Sequence, residues 1–115
     1  MKIVINNKYG GFHLSKEAVL LYGKKKGLNI IAEEDKVIKH LCHYFLNEVK
    51  EENVFAEWEI ERNDLVLVEV VEQLGDLANS CYSKLKIVEV PDDVKWYIHD
   101  YYGNEEVHEE HRKWS

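Results

Sequence analysis

Proline occurs once in the 115 residues, at Pro91, and cysteine only twice, at Cys42 and Cys81. One proline leaves no proline-rich linker, and no low-complexity stretch or internal repeat divides the chain, so a single domain over residues 1–115 is expected. Two distant cysteines form neither a CxxC pair nor a disulfide framework, which fits a reducing compartment. No apolar run approaches the roughly 20 residues that span a bilayer. Met1-Lys2-Ile3-Val4-Ile5-Asn6 is too short and too polar on its far side for a signal peptide. Cytoplasmic residence and no membrane association are the expectation.

Apolar residues make up 45% of the chain and charged residues 32%, enough greasy material for one core and too much for global disorder. The formal net charge is −7, which repels phosphates at long range and argues against direct nucleic-acid or anionic-membrane binding. It leaves room for a basic partner surface, or for imitation of DNA. Seven tyrosines add area either to the core or to a binding surface.

Residues 2–6 read as a short strand, and Tyr9-Gly10-Gly11-Phe12 as a turn. Ser15 caps a helix with Glu17 in its first turn; Leu14, Ala18, Leu21 and Tyr22 share one face, Lys24, Lys25 and Lys26 sit at its end, and Gly27 closes it. Residues 36–50 fit two periods: Ile38, Leu41, Cys42, Phe45 and Val49 a helical stripe, or Leu41, His43 and Phe45 one face of a strand. Residues 54–60 alternate as a half-buried strand. Asn63 or Asp64 caps a second helix whose buried face carries Leu67, Val70, Val71, Leu74 and Ala78, with Gly75 a point where it can stop. Residues 84–90 are apolar on both faces, as in a strand covered on each side or one with a bulge. Residues 95–101 form another strand, joined to 84–90 as a hairpin through Pro91-Asp92-Asp93. The tail from Asn104 to Ser115 is charged and suits one or two helical turns.

These elements predict an α+β fold: a mostly antiparallel sheet with two helices on one face, in the order β-α-β-β-α-β-β when residues 40–46 are a strand. That order resembles the split-βαβ pattern and carries no function by itself.

Several blocks together resemble a family of small phage and prophage proteins. They are Met1 to Asn6 with Tyr9 to Ser15, Ile60 to Gly75, Lys84 to Asp93, Asp100 to Gly103, and Val107 to Trp114. The resemblance covers most of the chain except roughly residues 30–55. It implies a phage accessory gene rather than a known reaction, and it favours strand over residues 40–46. The chain departs from the family pattern at Leu65, where a proline is common, and at Asn104-Glu105-Glu106, where an aromatic often stands.

Tyr97, His99 and Tyr101 form a ladder on one sheet face. Under a helix they are core; on an open face they are a stacking platform for a base or a partner side chain, which Arg112 and Trp114 can complete. His108 and His111 at i, i+3 share a helical face and can hold a divalent metal, although no zincin signature is present. The alternative there is a solvated terminal helix. His40 and His43 meet on a helix but not on a strand. Gly10-Gly11 offers either backbone N–H groups to an anion or a turn at positive φ, and Lys24–Lys26 either a phosphate contact or a helix C-terminal complement. No serine or cysteine stands in a nucleophile motif, and no catalytic residue is assigned.

The expected function is a non-catalytic phage accessory protein for counter-defence or host takeover, needing no cofactor. It would act in the host cytoplasm by binding a host protein or a small nucleotide immune signal, and self-association is compatible with it. A metal-dependent hydrolase or nuclease using His108, His111 and nearby carboxylates is one alternative; an acidic DNA mimic is another.

Overall fold

The first strand, β1 (Lys2–Asn6), is apolar on successive residues because both of its faces are covered. In the computed structural model, which describes residues 1–38, 42–80 and 83–109, β1 pairs antiparallel with β4 (Leu85–Glu89). Val4, Leu85 and Ile87 face the larger apolar cluster, while Ile3, Ile5 and Val88 face a smaller one with Val90, Trp96, Ile98 and Val107. The two-sided apolar pattern of residues 84–90 therefore reflects cover on each side, although β4 has one ladder partner among the described residues.

Both helices lie on the Val4 side. Helix α1 (Lys16–Lys26) begins where Ser15 Oγ accepts from the Ala18 N–H at 3.1 Å, and ends at Gly27 with φ 73°. Its Ala18, Val19 and Tyr22 are buried. Helix α2 (Leu65–Leu74) is capped by Asp64, which accepts from Val66 N at 2.8 Å and Leu67 N at 3.3 Å. Leu67, Val68, Val70 and Val71 are its buried face, and beyond Gly75, at φ 56°, a 3-10 turn carries the chain through Gly75–Ala78. Three polar links clamp the helices: Tyr22 Oη donates to Asp64 at 2.9 Å, Lys25 meets Glu69 at 2.6 Å and Lys26 meets Asp64 at 3.2 Å. Partial burial pushes the Asp64 carboxyl up, but bonds from Tyr22, Leu67, Val66 and Lys26 outweigh it and hold the group below its ordinary range.

Residues 42–46 are a strand, β3 (Cys42–Leu46), as the family resemblance favoured; residues 40 and 41 lie outside the described residues. Its partner, β2 (Ile30–Glu34), was not read from the sequence. Ile30-Ile31-Ala32 neither alternates nor carries turn signals at both ends, and its place is made by Gly23. A Cβ there would lie 2.7 Å from Ile30 Cδ1, so the missing side chain lets β2 close on α1.

The α+β class holds, as does the order β-α-β-β-α-β-β for the first seven helices and strands, but different residues fill the third and fourth places and an eighth element, β6, follows. The strands form three two-stranded antiparallel ladders among the described residues rather than one sheet.

Three expectations fail. Residues 54–60 are not a strand: Val54 makes one bridge to Phe45, and Glu57–Glu59 is a 3-10 turn. The alternation misled because Glu57, not Trp58, goes inside; Glu57 is 6% exposed and Trp58 57%. Residues 84–90 and 95–101 do not form a hairpin: β4 pairs with β1, and residues 96–101 pair with residues 104–109 instead. Finally, Asn104 onward is not helical as far as Glu109: β5 (Trp96–Tyr101) pairs with β6 (Asn104–Glu109).

Candidate binding site

The β5–β6 hairpin turns through Tyr102 and Gly103, at φ 52° and 90°, the two positive angles that a two-residue type I′ turn requires. Asp100 Oδ1 accepts from the Gly103 N–H at 2.7 Å. Glycine is needed at 103 for a second reason: a Cβ would lie 2.2 Å from Gly11 N. The hairpin tip thus rests on the Gly10-Gly11 turn, where Gly10 N donates to Tyr102 O at 3.0 Å and both glycines have positive φ. That pair is a tight turn, and the Gly10 N–H is already spent.

A buried polar knot fixes the same end of the hairpin. Asn6 is fully buried; its Nδ2, with two hydrogens to share, lies within hydrogen-bond distance of three carbonyl oxygens, Lys8 O, Gly11 O and Gly103 O, at 2.7, 2.8 and 2.7 Å, and its Oδ1 accepts from Lys84 N at 2.9 Å. The Asn6 N–H donates to Glu105 Oε1 at 2.8 Å. Glu105, 5% exposed, also accepts two bonds from Arg62 at 2.5 and 2.9 Å, and the guanidinium lies 3.6 Å from the Phe12 ring centre. Such a bidentate charged pair is strong where water is excluded and fixes orientation as well as energy.

With Glu105, Trp96, Ile98 and Val107 turned toward β1, the pleat sends the intervening residues outward. Tyr97, His99 and Tyr101 share that outer face, and no helix covers it among the described residues. Tyr97 is 51% exposed and Tyr101 58%, with His99 exposed between them. Across the ladder, His108 stands opposite Tyr97 and Glu106 opposite His99. The Tyr97 and His108 rings stack at 5.5 Å, His99 meets His108 edge-on at 5.5 Å, and His108 Nε2 lies 3.1 Å from Glu106 Oε2. Tyr9 and Tyr102 extend the row at 6.4 and 4.8 Å from Tyr101. Tyr9 and Tyr102 were not singled out in sequence; their signal was position, one in the Gly-Gly turn and one in the Tyr-Gly turn that docks on it.

The rim is acidic. From Asp92 to Glu109 the chain carries six carboxylates and one lysine. Arg62 neutralises Glu105, and the α-amino group of Met1 neutralises Asp92 at 2.6 Å. Asp93, Asp100, Glu106 and Glu109 remain, all exposed, with Lys95 the one cation.

A second pair escaped the sequence reading. His13 Nδ1 lies 3.3 Å from Glu57 Oε1, while Glu57 Oε2 is buried with no hydrogen-bond partner among the described residues. Burial pushes the Glu57 carboxyl up, against the opposing bonds from His13 and the Leu14 N–H. Nearby, burial first and then the Glu57 charge push the Tyr44 hydroxyl up. A carboxylate on Nδ1 orients an imidazole for proton transfer, and among the described residues no serine or cysteine side chain is hydrogen-bonded to the His13 ring.

The other candidates resolve simply. Lys25 and Lys26 are engaged by α2. His43 Nε2 sits 3.0 Å from Asp35 Oδ2, and the Ile38 N–H, His43 and the Val37 N–H together hold Asp35 at about 2. His40, His111, Arg112 and Trp114 lie outside the described residues, so the i, i+3 histidine pair and the completion of the tyrosine row by Arg112 and Trp114 do too. Among the described residues no three His, Cys, Asp or Glu side chains are grouped to hold a metal, and no helix is long and apolar enough to cross a membrane. Comparison with known proteins adds no assignment: no family model matches the chain, and no curated protein or solved structure matches it.

Proposed function

We propose that this is a non-catalytic binding protein that presents the outer face of the β5–β6 hairpin to a partner protein. The observation that supports the reading is the shared exposure of Tyr97, His99 and Tyr101, with His108 stacked beside them, on a strand whose other face is committed to packing. Rigid aromatic rings bring large contact area at low entropic cost and serve as interface anchors. The carboxylate rim favours a partner surface bearing lysine and arginine over a nucleotide, whose phosphates it repels. On the resemblance to small phage and prophage proteins, that partner is a host protein, and the role is counter-defence or host takeover.

The test compares partner capture from bacterial lysate by the wild type and by a Tyr97→Ala/Tyr101→Ala variant of matched melting temperature. Loss of the captured protein by about tenfold is expected. Equal capture overturns the reading, and so does a thermal shift produced by a cyclic nucleotide with no protein captured.

A further inference from the structure

The backbone of β5 carries a feature that its side chains do not. With a two-residue turn, Tyr101 and Asn104 are a hydrogen-bonded pair, and pairing alternates back along the ladder. The N–H and C=O groups of Tyr97, His99 and Tyr101 therefore point to β6, and those of Trp96, Ile98 and Asp100 point to the opposite edge. That edge has no ladder partner among the described residues. Natural edges are blunted by proline, bulges or a lysine in the strand. Here the six residues Trp96–Tyr101 pair without a bulge, Pro91 lies outside the strand, and so does Lys95.

We infer that this edge accepts an extended, arginine- or lysine-bearing segment of a partner protein as a third strand of the hairpin sheet. The inference rests on the function proposed above and names the partner's chemistry. Three outward backbone units give register, as in other cases of strand addition. In an added strand, alternate side chains stand on the outer face beside Tyr97, His99 and Tyr101, where a cation meets ring faces. Glu106 supplies opposite charge on that face, while Asp100 and Glu109, on the Trp96 side of the register, and Asp93, ahead of the strand, add to the negative field around the hairpin. The intervening side chains fall on the side of Trp96, Ile98 and Asp100.

The 115-residue chain is titrated with three nine-residue synthetic peptides: alternating Arg and Val, alternating Glu and Val, and the Arg–Val peptide N-methylated on its pairing edge. The Arg–Val peptide binds and slows hydrogen exchange at the Ile98 and Asp100 amides, N-methylation weakens it by about tenfold or more, and the Glu–Val peptide does not bind. Equal binding of the methylated peptide, or unchanged exchange at those two amides, overturns strand addition. If it falls while Tyr97→Ala/Tyr101→Ala still abolishes lysate capture, the aromatic-face reading stands alone. If capture by that variant is unaffected, the aromatic-face reading fails, whatever the peptides do.

Discussion

Within β5, neighbouring residues meet opposite fates. Trp96 and Ile98 pack with Ile3, Ile5, Val88 and Val90, whereas Tyr97, His99 and Tyr101 stand in solvent one residue away on either side. Both sets are large and aromatic or aliphatic, so composition does not separate them. What separates them is the polar knot beneath the turn: Glu105 is held by Arg62 and the Asn6 N–H, and that fixes which face of the hairpin is inward. A slip of one residue would exchange the two faces, and it would also strip Arg62 of its carboxylate.

The inward side should therefore be costly to disturb and the outward side cheap. Glu105→Ala leaves a largely buried guanidinium unpaired and should cost about 3–5 kcal/mol in urea unfolding, the largest single effect. Glu105→Gln, which keeps the shape, should recover part of it; full stability in both variants would remove the knot from the account. Ile98→Ala, at a half-buried position, should cost about 2 kcal/mol.

Away from the hairpin, Asp64→Ala removes the α2 cap and the Tyr22 bond and should cost about 1–2 kcal/mol near neutral pH. Because the folded Asp64 carboxyl is held below its ordinary range, its contribution is present above that range and lost as pH falls through the depressed value. The wild-type advantage should thus shrink on acidification, and an advantage that grows in acid would contradict the assignment. Glu57 has the opposite sign. Burial raises its carboxyl in the fold, so its contribution is present at low pH and declines as pH rises through the ordinary carboxylate range to the raised value. Glu57→Gln should flatten that decline in a pH series of melting temperatures. Smallest of all, Tyr97→Ala should cost under about 1 kcal/mol, the worth of its cross-strand pairing with His108.

The helices were legible because each carries its own start and stop: Ser15 and Gly27 for α1, Asp64 and Gly75 for α2. The strands were legible only locally. That residues 95–101 alternate is visible in sequence; that their partner is Asn104–Glu109 depends on Tyr102 adopting positive φ, which tyrosine seldom does and which the docking of Gly103 on Gly10-Gly11 enforces. Ile30–Glu34 was hidden because its place comes from an absent side chain at Gly23. At residues 54–60 the period was present and its meaning inverted, since a buried glutamate bonded to His13 mimics the outward-facing residue of a strand. Tyr97, His99 and Tyr101 could be singled out from their spacing, but their exposure could not, because it follows from long-range contacts of Asn6, Arg62 and Glu105.

The most direct test is the unfolding free energy of a Tyr97→Ser/His99→Ser/Tyr101→Ser variant set beside that of Ile98→Ala. If the outer residues are surplus to folding, the triple variant keeps its stability to within about 1 kcal/mol of wild type and the single inner change costs more. A triple variant that loses as much as Ile98→Ala, or more, would show that those rings are part of the core and not a surface held open for a partner.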